Sequence, residues 1–400
     1  MKLIVPGYFK TPDILYPNPI SMKIQQKKFS PLKGWEIVRN DFSGVEKSHF
    51  VLAFGGTEIL SDPAIYDSLK VDYPSAEILL NSTAGEISDI EVTDNTISLT
   101  AIHFEKTLIK TAVVHIEEVQ NSFEAGVKLC QRLDVTDLKY VLVISDGQKV
   151  NGSELVLGLQ ELLPKNVIVT GGLAGDGARF EKTLVGLNET PVEGRIAAIG
   201  FYGSALEVTY GSVGGWDSFG PERLITKSEK NVLYELDGEP ALDIYKLYLG
   251  EYAKELPGSG LLFPLSIRTQ DENNSLVRTI LSVNEKDKSL TFAGNMPEGA
   301  YARLMKANFD RLIEGASTAA QNSLTDHKKS PDFALLISCV GRKLVLDQRI
   351  EEEVEVVRAI YGPKTSIAGF YSYGEISPSF NFMQCELHNQ TMTITTLTEN

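Results

Sequence analysis

Four hundred residues are about two to three times the usual single-domain length, so two domains, or one domain built from repeated units, are expected. Hydrophobic residues at 42% and charged residues at 23% give the composition of a globular protein and exclude a disordered or collagen-like chain. Thirty-eight Lys and Arg against 53 Asp and Glu leave a formal charge of −15, which repels phosphate backbones and anionic lipid and argues against nucleic-acid and membrane partners.

The start, Met1-Lys2-Leu3-Ile4-Val5-Pro6, lacks the apolar stretch and cleavage site of a signal peptide, and no apolar run approaches the ~20 residues of a membrane span. The cationic clusters Lys27-Lys28 and His327-Lys328-Lys329 are too short to offset the acidic field. Cys130, Cys339 and Cys385 are too few and too scattered for a disulfide framework or a C-x-x-C zinc site, so a reducing, cytoplasmic location is expected.

One pattern then recurs three times. The first copy opens with the apolar run Phe50 to Phe54, ends it in Gly55-Gly56, passes a helical segment at Ile65 to Leu69, and returns as Ala76 to Leu80. That second strand runs into Asn81-Ser82-Thr83-Ala84-Gly85-Glu86, and a β-branched stretch, Thr96 to Phe104, follows a turn at Asp94-Asn95. The second copy runs from Tyr140 to Ile144 into Ser145-Asp146-Gly147, has a helix bearing Leu155, Leu159 and Leu162, and returns as Asn166 to Thr170 before Gly171-Gly172-Leu173-Ala174-Gly175-Asp176-Gly177. Strands broken by glycines are expected over 205–237, with a helix starting at Pro240 and a domain junction near Gly220-Pro221. Leu261 to Leu265, Val277 to Val283 and Ser289 to Phe292 read as strands, and Met305, Phe309, Leu312, Ala316 and Ala319 as one face of a long helix. The third copy has Phe333 to Ile337, then Ser338-Cys339-Val340-Gly341-Arg342, a helix with Ile350, Val354, Val357 and Tyr361, and a return at Ser366 to Phe370 before Tyr371-Ser372-Tyr373-Gly374-Glu375.

Strand, helix, strand in so few residues is a βαβ crossover with parallel strands, and the tightly joined third strand runs antiparallel. The expected fold is therefore α/β: repeated β-α-β units with antiparallel additions, forming mixed sheets covered by helices, in two domains spanning 1–220 and 221–400. Loops at the carboxyl ends of parallel strands converge on one edge, where ligands bind. Those loops make Asn81, Ser82, Thr83, Glu86, Asp176, Cys339, Arg342, Ser372, Tyr373 and Glu375 the candidate ligand-binding residues: acids for an ammonium or hydroxyl, Arg342 for a carboxylate, an amino-acid-like set. The alternative is that each acid after Gly85, Gly175 and Gly374 satisfies nearby backbone N–H groups. Gly171 to Gly175 is not G-x-G-x-x-G, and no G-x-S-x-G, H-E-x-x-H or G-K-[ST] motif is present, so nucleotide-binding, hydrolase and metalloenzyme readings lose their support. Cys339 is a candidate low-pKa thiol or a buried small hydrophobe, and His388 a candidate axial ligand or a turn histidine.

At Asn81 to Ile87, Gly171 to Gly177, Tyr234 to Gly238, Ser338 to Arg342 and Gly369 to Ile376, in that order, the sequence resembles the FIST family over roughly residues 35 to 400. The resemblance implies a non-enzymatic, cytoplasmic sensory module of bacterial signal transduction that binds small ligands such as amino acids and is coupled to histidine kinases, cyclic-dinucleotide enzymes or chemoreceptor-type outputs. No such output segment is recognised in these 400 residues, so a separate partner such as a histidine kinase is expected. No cofactor is expected; a haem-based nitric-oxide sensor, known among family members, is the first alternative, and an enzyme using Cys339 or the three acids is the second.

Overall fold

The computed structural model describes residues 22–44, 47–269, 275–324, 330–378 and 385–400. The start Met1 to Pro6 and the His327-Lys328-Lys329 cluster lie outside the described residues. Among the described residues no helix is long and apolar enough to cross a membrane.

The three βαβ units form as their patterns dictate. In each, two parallel strands, Phe50–Gly55 with Glu77–Ser82, Leu138–Ser145 with Ile168–Leu173, and Phe333–Cys339 with Ser366–Ser372, are joined by helical crossovers. Local chemistry fixes the helix starts: Asp62 and Asn151 accept the N–H of Ala64 and Glu154, and Pro63 occupies the first turn where its missing N–H costs nothing. The third strand of each unit, Ile97–His103, Arg195–Tyr202 and Met392–Glu399, lies antiparallel beside the first. A further antiparallel strand, Lys23–Ser30, Leu108–His115 or Leu206–Val213, lies beyond it.

Each unit also sends a short strand into another unit's sheet. Glu86–Ser88 of the first pairs with Ser366–Ser372 of the third, Val185–Leu187 of the second pairs with Glu77–Ser82 of the first, and Gly374–Pro378 of the third pairs with Ile168–Leu173 of the second. The exchange is cyclic, so every second strand is covered by a neighbour and none presents an open edge at that position.

Alternation along the first strands sets the layers. Phe50, Leu52 and Phe54, Tyr140, Leu142 and Ile144, and Phe333, Leu335 and Ile337 all point into one shared core between the three sheets. The intervening Val51 and Ala53, Val141 and Val143, and Ala334 and Leu336 face outward beneath the helices. Phe201 sits in the shared core, fully buried, with its ring 5.0 Å from that of Tyr140, 5.8 Å from Phe50 and 5.9 Å from Phe104.

Between the second and third units lies an antiparallel sheet running from Asp217–Glu229 to Tyr301–Lys306 with its own core around Leu233, Tyr245 and Phe292. The division expected at 220/221 falls inside the strand Asp217–Glu229, where Gly220-Pro221 makes a register shift between Phe219 and Arg223. Two local expectations are corrected. Leu261 and Leu262 belong to a 3-10 turn, Gly258–Leu262, with the strand beginning only at Leu265, past Pro264. Met305 lies in the strand Tyr301–Lys306, and the helix starts at Phe309 because Asn308 caps it, accepting the Arg311 N–H.

Because the central core is shared, Phe201→Ala should lower stability by about 3–5 kcal/mol and should loosen all three units together. Denaturant titration with hydrogen exchange checks this; loss of protection confined to Arg195–Tyr202 and its immediate neighbours would contradict a shared core.

Candidate functional site

The carboxyl ends of the three strand pairs meet at one end of the molecule, tied together by backbone hydrogen bonds that cross between units. Ala84 N–H donates to Tyr371 C=O and Tyr371 N–H to Gly85 C=O, both at 2.8 Å; Gly175 N–H donates to Ser82 C=O at 3.0 Å and Gly177 N–H to Thr83 C=O at 3.1 Å. Tyr373 N–H donates to Leu173 C=O at 3.1 Å.

Within this knot the predicted acids serve the fold. Glu86 Oε1 accepts the Thr83 hydroxyl at 2.6 Å, and its Oε2 accepts the Thr96 N–H at 3.0 Å and the Thr96 hydroxyl at 2.8 Å. Glu375 repeats the arrangement, with Ser372 at 2.7 Å on Oε1 and the Thr391 N–H and hydroxyl at 3.1 and 2.9 Å on Oε2. Each carboxyl thus clamps the strand end to the residue that opens the unit's third strand. Burial pushes both acids up from 4.5 to about 7, against the lowering effect of the hydroxyl and amide donors. Asp176 departs from this pattern: it accepts the N–H groups of Phe180, Glu181 and Lys182 at 2.8–2.9 Å and the Tyr373 hydroxyl, which shapes the loop beyond Gly177. Asp146 makes the corresponding clamp in the second unit, accepting Gly194 N–H at 2.8 Å.

The other candidates fall into place around these. Ser82 Oγ accepts the Leu184 N–H at 2.8 Å, and Asn81 is fully buried with its Nδ2 on Ser82 C=O at 3.1 Å. The Tyr373 ring stacks on Phe180 with centroids 4.4 Å apart. Arg342 is fully buried: its Nε and Nη2 donate to Glu353 Oε2 at 3.0 and 2.8 Å, Nη1 to Gly214 C=O and Nη2 to Leu312 C=O, both at 2.7 Å. Ser338 and Tyr371 complete the Glu353 site at 3.0 and 2.7 Å. The guanidinium is spent on this network, which holds the helix Ile350–Tyr361 against the sheet. Cys339 is 1% exposed, and burial pushes its thiol well above its usual range, so it is not an activated nucleophile.

A cavity of about 330 Å³ opens at this junction, with walls from all three units. Thr83, Glu86, Asp94 and Asn95 come from the first unit, Gly177 to Arg179 from the second, and Val340, Lys343 and Leu344 from the third. Lys343 Nζ donates to Ala84 C=O at 2.9 Å and to the Asp94 carboxylate, and Arg179 Nε lies 3.9 Å from Asp176 Oδ2. Gly85, at φ 143°, lets the lysine pass: a Cβ there would lie 2.7 Å from Nζ and 3.0 Å from Cε. Lys343, Arg179, Asp94 and Asn95 were not among the candidates from sequence. The signal for Lys343 is helical: the stretch after Cys339 is not a loop but the helix Val340–Leu346, so Val340, Lys343 and Leu344 share one face while Arg342 points elsewhere.

His388 is half-buried, its Nε2 lies 3.1 Å from Ser377 C=O, and burial lowers its pKa to about 4. Its Nε2 is held to backbone, which fixes the ring within the strand. Among the described residues no group of three His, Cys, Asp or Glu side chains is placed to hold a metal ion.

Comparison with known proteins bears on this site. The FIST N domain profile matches residues 49–239 and the FIST C domain profile residues 241–378. FIST domains are associated with signal transduction and small-ligand sensing. An uncharacterised protein of Methanocaldococcus jannaschii is 25% identical over 357 residues, 78% of this chain and 66% of its own length, so the chain spans just under two thirds of that relative. A solved cyanuric acid hydrolase from A. caulinodans aligns over 95% of this chain and 99% of its own at 6% identity and TM-score 0.37, too slight a likeness to bear on fold or function.

Two outcomes follow from the buried charges. A carboxyl at about 7 in the folded state and 4.5 unfolded keeps its proton in the native chain where the unfolded chain has released it, so its contribution is full below pH 4.5 and lost as pH rises through 7. Glu86→Gln and Glu375→Gln should therefore flatten that decline and raise stability at pH 8, each by about 3 kcal/mol at most, as read by denaturant midpoints across pH. Arg342→Met strands the Glu353 carboxylate and should cost about 3–5 kcal/mol, while adding Glu353→Gln should recover part of it in the same assay.

Proposed function

The chain belongs to the FIST family, and from that premise we propose that it is a non-enzymatic sensor that binds a small zwitterion, an amino acid or a close relative, in the cavity where the three units meet. The observation that carries this reading is charge of both signs on one small cavity of about 330 Å³: Lys343, paired with Asp94, and Arg179 line it together with Asp94 and Glu86. A ligand carboxylate takes the Lys343 ammonium and the Arg179 guanidinium, and its ammonium group takes Asp94 and the Thr83 and Asn95 side chains. Binding there replaces the Lys343–Asp94 pair, which is partly exposed and therefore cheap to exchange.

The absence of chemistry in the proposal has a physical basis. The buried acids are hydrogen-bonded into the fold, and the thiol nearest the knot is protonated. What the cavity offers is recognition. Because its walls come from three units, a ligand that binds one relative placement of these walls better than another shifts the equilibrium between them. The output passes to a separate cytoplasmic partner protein such as a histidine kinase. That assignment rests on the family association with signalling.

Isothermal titration of the purified chain with the twenty amino acids tests the reading. One or a few should bind at a single site, and Lys343→Met should weaken binding by about tenfold or more with the fold intact by circular dichroism. No heat from any amino acid, or binding indifferent to Lys343→Met, would reject it, and turnover of the bound compound would replace it with an enzyme.

A further inference from the structure

A second cavity, of about 300 Å³, lies between the helix Gly152–Leu162 of the second unit, the inserted sheet and the strand Cys385–His388. Its walls are mostly apolar: Val156 and Leu157 from the helix, Ile267 and Leu276 from the inserted sheet, Leu387 from the strand. Into this apolar space comes Arg278, 4% exposed.

Among the described residues the hydrogen bonds of the Arg278 guanidinium all go to backbone carbonyls, while the Glu386 carboxylate nearby favours its charged form at longer range. Nη1 donates to Leu387 C=O at 2.9 Å and to Val277 C=O at 3.3 Å, and Nε donates to Asn295 C=O at 3.3 Å. Nη2 makes no hydrogen bond to any described residue, and no described carboxylate lies within ion-pair distance. Glu386 lines the same cavity and Arg268 lies at its side, the latter already engaged with Glu222 at 3.1 Å and stacked on Tyr301. A buried cation with no carboxylate at hydrogen-bond distance is costly, and burial lowers the Arg278 pKa to about 10 despite Glu386. Here the backbone makes room for it: Gly294, at φ 146°, has no Cβ, and one would stand 2.7 Å from Arg278 Nε.

Contrast with Arg342 sharpens the point. Both arginines are buried, yet Arg342 has Glu353 on two of its nitrogens while Arg278 Nη2 has no hydrogen-bond partner among the described residues and lines a cavity. A buried guanidinium with no carboxylate at hydrogen-bond distance among the described residues, lining a mostly apolar chamber of ligand size, suits an organic anion with an apolar body.

We propose that this cavity is a second ligand site, distinct from the three-unit junction, that binds an apolar monocarboxylate, with the carboxylate on Arg278 Nη2 and the hydrocarbon against Val156, Leu157, Ile267 and Leu387. Occupancy bridges the second unit and the inserted sheet, whose direct links at this point are Asn151 Nδ2 to Asn295 Oδ1 at 3.1 Å, Asn295 Nδ2 to Glu154 Oε1 at 2.7 Å and Asn295 N–H to Ser153 Oγ at 3.2 Å. The ligand therefore stabilises the seating of one lobe on the other.

The test is isothermal titration of the full chain with sodium octanoate, with 3-phenylpropionate as a second probe and octan-1-ol as the neutral isostere. The expected result is saturable one-site binding of a carboxylate, at least about tenfold weaker for octan-1-ol and for Arg278→Met. Should Arg278→Met fail to fold, Leu157→Glu, at a half-exposed position on the cavity wall, introduces a like charge and should weaken octanoate by a similar factor and octan-1-ol by less, since the alcohol loses only the apolar contact. Absence of saturable binding by both carboxylates, equal binding of octanoate and octan-1-ol, or octanoate affinity unchanged in both variants would overturn the proposal.

Discussion

The cyclic exchange of short strands is the constraint on which the molecule depends. Glu86–Ser88, Val185–Leu187 and Gly374–Pro378 are each too short to be stable alone, and each completes a sheet whose other strands belong mainly to a different unit. No unit can close its own sheet edge, so none is expected to persist without the other two. The shared aromatic and aliphatic core between the sheets follows from the same closure, because the exchanged strands hold the three inner faces toward one another. The Glu86 and Glu375 clamps stand at two of the three places where the chain leaves one sheet for the next, fixing where it turns and where the following strand begins.

Closure also decides where a ligand site can form. Three sets of strand ends meet at one end of the ring, and the backbone hydrogen bonds between Ala84, Tyr371, Gly85, Ser82 and Gly175 fill most of the space. What remains open is a small chamber, lined partly by backbone that makes the closure, at Thr83, Ala84 and Gly177, and partly by side chains not used in it. Glu86 is the exception in part, touching the cavity wall while both its oxygens hold the fold. The flexible charges, Lys343, Arg179 and Asp94, stand at the rim, where they can exchange partners at little cost.

Much of this architecture was legible from the residues. Apolar runs such as Phe333 to Ile337 and the spacing Ile350, Val354, Val357, Tyr361 specify strand and helix directly, and both appear where periodicity puts them. The βαβ units and their antiparallel third strands follow from connection length. The exchange did not, since a three-residue strand such as Glu86-Ile87-Ser88 carries no pattern that says which sheet it joins. The site was legible by neighbourhood only. Strand-end loops mark the end of the molecule where the small cavity opens, but an arginine and a lysine adjacent in sequence, Arg342 and Lys343, diverge by a helical step, and nothing before the fold tells which of them finds a buried glutamate. The glycine-acid steps drew attention for a structural reason, as anchors of turns whose Thr96 and Thr391 partners lie ten and sixteen residues on.

The hairpin formed by Gly374–Pro378 and Cys385–His388 connects the two cavities mechanically. At its base, Glu375 holds Thr391 and so the third unit's last strand. At its outer strand, Leu387 C=O receives Arg278 and the side chain walls the apolar chamber. Further along, Gln390 Nε2 donates to Thr279 Oγ1 at 3.0 Å and Asn389 Oδ1 accepts the Thr279 N–H at 3.5 Å, so the inserted sheet grips the chain immediately after the hairpin. A change in how the insert sits is therefore transmitted to the segment that carries Thr391, and from there to the clamp that fixes the strand ends. Coupling of this kind is reciprocal: whatever free energy a ligand in one chamber lends to a given placement of the hairpin, a ligand in the other chamber that prefers the same placement gains by the same amount. The ring supplies the frame, and the insert attaches to it through the Asn295 hydrogen bonds at the second unit and, at the third, through apolar packing of Leu262 and Met305 against Leu312, Val345 and Leu346.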